Sequence, residues 1–214
     1  MSHGRSERLY LTDTLSERQR YRLLTSLVVP RPIGWLGTRS AATGPNLAPF
    51  SYFNGLSASA MLVGASIGQR RGASGDAVWK DTLLNVRETE AFSVNIVTER
   101  HLEAMVRSSG EWPRGTDEFE KAGLVAASCE AVDAPYVADA PAVLECRLFK
   151  VVDLDAPNTL VIGKVVAVRL APSLGVEEET MSVAVESLRP VGRLGLDQYA
   201  LLGEVRRIAR PSVD

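Results

Sequence analysis

The sequence predicts a mainly β fold: an antiparallel barrel or sandwich with accessory helices. Three observations carry this. Strand-like segments come in neighbouring pairs, most plainly "AVLECRLFKVVDL" and "NTLVIGKVVAVRL" joined by the turn-like "DAPN". The helical segments between strands are short. No steady β-α-β-α rhythm exists, which argues against a doubly wound parallel sheet.

Residues 14–26, "TLSERQRYRLLTS", open with cap-type Thr14 and Ser16 and place Tyr21, Leu24 and Leu27 at helical spacing, predicting a short amphipathic helix. In "LVVPRPIGWLGTRS" the pattern becomes β-branched and aromatic, and Pro30 with Pro32 makes any strand there start late or run along an edge. A turn follows at "AATGPN". The run "NLAPFSYFNGLSASAMLVGASIG" begins as a polar turn, passes Phe50, Tyr52 and Phe53, and ends in a strand over 60–68. After the loop "QRRGASGDAVW", the stretch "KDTLLNVRETEA" predicts a short helix capped by Asp81 or Thr82. "FSVNIVT" (92–98) alternates like a strand, and "ERHLEAMVRSS" (99–109) has helical spacing of Leu102, Met105 and Val106. "GTDEFEKAGL" reads as a short helix with an Asp117–Glu120 capping box, stopped by Gly123.

The 214 residues suit a single domain, 1–214, with its core over about 14–196 and the terminal segments as arms; no repeat or composition break marks a second one. Net charge is −2 with scattered basic residues, which gives no footprint for nucleic acid. The charged start lacks an apolar signal region, and no run is long enough for a membrane span, so a cytoplasmic protein is expected. Cys129 and Cys146 have no metal-site spacing and only His3 and His101 to join them, so no metal is expected; Cys146 reads as a small buried hydrophobe.

The sequence contains no dinucleotide-binding glycine fingerprint following a strand, no phosphate-binding P-loop and no G-x-S-x-G elbow. With two histidines, one in the tail, a Ser-His-Asp triad is not supported, and His101 between Glu99 and Glu103 reads as solvent-facing. No catalytic acid–base residue is assigned. A chain without such groups can still do chemistry by holding a cofactor. A planar cofactor with a phosphate tail needs small polar groups at its ring edge, close approach of the backbone, and a cationic or N–H-rich cradle. Thr38, Asn46, Ser51 and Ser66 offer the first; Gly37 and Ala48 the second; Lys80 with Asp81-Thr82 at a helix start the third. Taken alone, "NLAPFSYF" also fits an ordinary turn with aromatic anchors, and Lys80 a surface lysine. Arg70 and Arg71 fit either anion contacts or a mobile basic loop. Trp35 reads as packing, Trp79 and Trp112 as rim residues.

The segments "RPIGWLGT", "NLAPFSYF", "KDTLLNV", "FSVNIV", "GTDEFEKAGL", "VLEC" and "LVIGKVVAV", in this order from about Arg31 to Arg193, resemble the flavin reductase-like, FMN-binding split-barrel family to which flavoredoxin belongs. The resemblance implies a six-stranded antiparallel split barrel, a homodimer, and FMN bound near the subunit interface. It places flavin contacts at Thr38 and Arg39, at Asn46, Leu47, Ala48, Pro49, Phe50, Ser51, Tyr52 and Phe53, at Ser66 to Arg70, and at Lys80, Asp81, Thr82 and Asn85. Asn46 and Ser51 are expected at the isoalloxazine edge or ribityl chain, Lys80 and Thr82 at the phosphate. It also implies NADH or NADPH as transient hydride donor to flavin N5, with a monooxygenase or electron-transfer partner in some members; others act as electron carriers, so the alternative reading is a flavoprotein electron carrier or flavin-binding protein without productive NAD(P)H reaction. Two departures stand out. Gly34-Trp35-Leu36-Gly37 replaces the family's Ala-Trp-Val-Ser, which is expected to remove a hydroxyl beside the cofactor. Gly195-Leu196 replaces a paired glycine before Tyr199, which is expected to reshape the C-terminal cover on the nicotinamide side.

Overall fold

The computed structural model describes residues 7–72, 74–155 and 157–212. His3, one residue of the "QRRGASGDAVW" loop (Ala73) and one of the "DAPN" turn (Ala156) lie outside them. The strands of the main sheet are, in chain order, β1 (Gly34–Ser40), β2 (Gly44–Phe50), β3 (Phe53–Ser57), β4 (Leu62–Arg71), β5 (Ala77–Trp79), β6 (Ala91–Ile96), β7 (Ala142–Asp155) and β8 (Asn158–Leu170). Their spatial order is β2-β1-β6-β7-β8-β4-β3, with β5 on β4, and every pairing is antiparallel. The resemblance implied six strands; this sheet has eight, of which the short β3 and β5 pair only with β4.

Alternation along the strands builds two cores. Leu36 of β1 and Phe50 of β2 share a cluster with Val63, Ala65 and Ile67 of β4, so the two ends of the strand order curl round a common interior. Helix α2 (Asp81–Thr89) seats Leu83 and Val86 in it. On the other face Trp35 and Leu47 pack with Met105 of α3 (Leu102–Ser108) and Phe119 of α4 (Glu118–Ala122). Trp35 is fully buried, as expected for packing, and its Nε1 donates to Ser108 Oγ at 2.9 Å. Burying each such large side chain contributes about 1.5–3 kcal/mol.

Several boundaries differ from the sequence reading for local reasons. Helix α1 (Glu17–Leu27) starts after Ser16, which forms a reciprocal capping box with Gln19; Thr14 instead ends a 3-10 turn. Lys80, not Asp81 or Thr82, is the N-cap of α2, and its side chain makes no capping bond. In α4 Asp117 accepts from Phe119 N–H and Glu120 N–H, and Gly123 ends the helix at φ 71°. Asn46 to Phe50 form a strand rather than a polar turn. β4 runs on to Arg71, so Arg70 and Arg71 belong to a strand and not to the loop after it. His101 is 3% exposed, with Nδ1 3.0 Å from Thr98 Oγ1 and Nε2 3.2 Å from Asp139; the 3-10 turn Glu99–His101 rotates it inward against Trp35. Both cysteines are free thiols, and burial raises the Cys129 thiol to about 12. Among the described residues, no helix is long and apolar enough to cross a membrane.

Candidate functional site

A cleft opens where β2, the end of β4, the start of α2 and the Ser108–Trp112 loop meet. Its central compartment, about 230 Å³, is lined by Asn46, Ala48, Pro49, Lys80, Asp81 and Thr82, with Arg70 and Trp112 on its far side. Pro49, Lys80 and Ser109 also line a neighbouring compartment of about 390 Å³ under the C-terminal segment. Arg70, Asp81 and Trp112 likewise line a second neighbour of about 820 Å³ bounded by Trp79.

A buried polar network forms its floor. Glu118, on α4, accepts with one carboxylate oxygen from Leu47 N–H at 3.0 Å and from Asn46 Nδ2 at 3.1 Å. Thr82 Oγ1 donates to Asn46 Oδ1 at 3.3 Å. Behind it, Asn85 Nδ2 donates to Thr38 Oγ1 at 3.2 Å, while Asn85 Oδ1 is buried with no partner. Burial pushes the Glu118 carboxyl up, against the opposing pull of its two donors.

The wall toward α2 is cationic. Burial, reinforced by Arg70, lowers the Lys80 ammonium from its ordinary range, while Glu111 opposes this; its Nζ lies 5.3 Å over the Phe50 ring. Arg70 lies 3.6 Å from Asp81, which also pairs with Arg114 at 3.1 Å. The first intrahelical bond of α2 is Leu83 N–H to Lys80 C=O at 3.0 Å, so the N–H groups of Asp81 and Thr82 precede the ladder.

The fold therefore gathers Asn46, Ala48, Pro49, Arg70, Lys80, Asp81 and Thr82 around one compartment, and places Ser51 in the adjoining one. Thr38, Leu47 and Asn85 are fully buried behind the wall. Phe50 is a core residue, Phe53 packs against that core, and half-buried Ser66 gives its N–H to Tyr52 C=O; none of the three lines the cleft. Tyr52 stands under Arg31, 5.9 Å from ring centroid to guanidinium carbon, and Arg39 pairs with Asp133 at 3.2 Å in a separate depression beside Ser40 and Glu88. Position 37 faces away as well. A Cβ there would lie 2.2 Å from the Pro135 carbonyl oxygen, and Ser93 Oγ already donates to that oxygen at 2.6 Å. The missing hydroxyl at Gly37 thus costs the cleft nothing, contrary to expectation. Leu196 does lie over the cleft, at φ 54°, the left-handed region its glycine counterpart would enter freely.

Trp112 and Trp79 line the cleft as expected of rim residues. Missed from the sequence were Glu118, the Ser108–Glu111 loop, and the Tyr21, Arg31 and Arg193 side chains that meet from distant segments. The small polar "SSGEW" after an amphipathic helix was the one local signal for the loop.

The flavin reductase like domain matches residues 26–183. An uncharacterized protein of Halalkalibacterium halodurans is 35% identical over 206 residues, 94% of this chain and 95% of the relative. Nitrilotriacetate monooxygenase component B from Bacillus cereus superposes with a TM-score of 0.87 at 29% identity, covering 95% of this chain and 99% of its own. A Shewanella frigidimarina protein with a split barrel domain superposes at 0.78 and 22% identity, covering 93% and 96%. By domain match and full-length similarity, this split-barrel chain belongs to the flavin reductase-like domain family.

Proposed function

We propose that the protein is an FMN-binding NAD(P)H:flavin oxidoreductase and that its cleft holds the flavin, with the phosphate at the start of α2. The observation that carries this reading is the pairing of partly buried Lys80 with the unladdered N–H groups of Asp81 and Thr82. Burial and a neighbouring arginine disfavour the ammonium until an anion arrives, and a helix start favours that anion. The donor set fits the rest of a flavin. Asn46, fixed by Glu118 and Thr82, keeps one N–H and one lone pair, and the small Ala48 and Pro49 line the cleft beside it.

A flavin held there would supply the redox chemistry, hydride transfer from NADH or NADPH. The chain's own part is orientation: the β2 backbone sets the ring's position, Lys80 and Arg70 hold the negative tail, and Trp112 and the Ser108–Glu111 loop limit water. The likeness to a monooxygenase component supports delivery of reduced flavin to a partner enzyme.

Titrating FMN and riboflavin into parent and Lys80→Ala protein tests the assignment. A hydrogen bond to a charged group is worth about 1.5–3 kcal/mol, so FMN should weaken roughly 10- to 100-fold while riboflavin, which lacks the phosphate, is unchanged. Salt should weaken FMN more in the parent than in the variant. Equal losses for both flavins would remove the phosphate from this helix start.

A further inference from the structure

The compartment under the C-terminal segment carries cationic groups that the flavin reading leaves unused. Arg31 is only 6% exposed; its terminal nitrogens donate to the carbonyls of Thr25 at 2.7 Å, Val28 at 2.8 Å and Leu194 at 2.8 Å, and its Nε has no partner. Arg193 donates to the Tyr199 hydroxyl and the Leu196 carbonyl and lies 4.5 Å over the Tyr199 ring. Among the described residues, neither arginine forms an ion pair, although other arginines of the chain do. Buried charges are ordinarily paired. The carbonyls at the C-terminus of α1 answer part of the Arg31 charge, but Arg193 has only neutral acceptors.

The rest of the lining is mixed: Ile33, Met105 and Leu194 with the rings of Tyr21 and Tyr199, and the hydroxyls of Ser51 and Ser109, while Lys80 stands where this compartment borders the flavin cleft. Two guanidiniums without an ion-pair partner, in a mostly polar compartment flanked by two tyrosine rings, suit a flat molecule bearing one anionic oxygen group.

We propose that this compartment is the subsite for the second reactant and recognises its anionic oxygen group through Arg193, with Arg31 adding charge from behind. The shared chemistry is a carboxylate on an aromatic electron acceptor or a phosphate on the dinucleotide donor. The role as a reactant subsite rests on the flavin assignment above; anion recognition itself does not.

The test titrates benzoate, its neutral isostere benzamide, and ADP-ribose into FMN-loaded protein, followed by flavin difference spectra and by calorimetry. Benzoate should bind the parent at least about tenfold more tightly than benzamide. Arg193→Gln should weaken benzoate about 10- to 100-fold and leave benzamide unchanged, while Arg193→Lys retains the preference. ADP-ribose that displaces benzoate and suffers the same loss in Arg193→Gln identifies the donor's phosphates as the source; failure to displace it identifies a carboxylated acceptor. Equal binding of benzoate and benzamide by the parent, or an unchanged preference in Arg193→Gln, overturns the proposal. Calorimetry without flavin separates the two readings: a protein that ignores FMN yet still prefers benzoate retains the anion subsite and loses the flavin assignment.

Discussion

Glu118 shows how much of the site depends on a residue that offers the cleft mainly a carboxylate. One of its oxygens satisfies two buried donors, Asn46 Nδ2 and Leu47 N–H. Replacing it with Ala strands both, at about 1–3 kcal/mol each. Glu118→Gln can present a carbonyl oxygen to the same donors, so it should keep the fold. The Glu118 carboxyl titrates higher folded than unfolded, so its contribution to stability is full below the unfolded pKa and fades as pH rises through the folded one. Glu118→Gln has no such dependence. Urea unfolding should therefore show the Gln variant gaining on the parent from pH 4 to pH 7, and a constant difference would refute this. At this scale the sequence was legible where polar residues sat on local motifs: Asn46, Lys80 and Thr82 all line the cleft. Glu118 was not, because "DEFEKAG" reads equally well as an ordinary capped helix. Nor was His101, whose inward turn depends on packing against Trp35 from another strand.

Elements were readable in proportion to their burial contrast. The β7–β8 pair announces itself by alternation, whereas β3, "FNGLS", is exposed at its centre and contains Gly55, so its apolar signal is weak. Pattern also failed at the start of α2, where Lys80 takes the cap position that Asp81 or Thr82 was expected to fill; cap-type residues there serve the cleft and the Asn46 network instead. The other end of that helix gives a stability prediction. Glu90 terminates α2 at φ 53°, ψ 26°, a conformation costing an L-residue about 1–2 kcal/mol. Glycine relieves that strain but loses about 0.5–1 kcal/mol through unfolded-state entropy. Glu90→Gly should thus be stabilising by about 0.5–1 kcal/mol, raising Tm by roughly 2–4 °C per kcal/mol. Calorimetry finding an unchanged or lower Tm would contradict it.

For the whole molecule, apolar surface remains after the cores are filled. Tyr21, Leu24 and Leu27 on α1, and Phe149, Val166 and Val168 on the β7–β8 hairpin, are all at least 40% exposed. A second copy would cover such faces and the sheet edges, which supports the proposed homodimer. Sedimentation should give a dimer at micromolar concentration; a monomer that still binds flavin would refute it. The order of motifs made the barrel legible, but the convergence of Tyr21, Arg31 and Arg193 on one compartment is a product of the folded chain and has no local sign. What the assembled cleft is for is tested most directly by adding NADH or NADPH to FMN-loaded protein without oxygen. Rapid bleaching of the visible flavin band by one of them is the expected result. A band that both leave unchanged, yet that a reduced ferredoxin-type donor bleaches, would contradict the reductase assignment and make the protein an electron carrier.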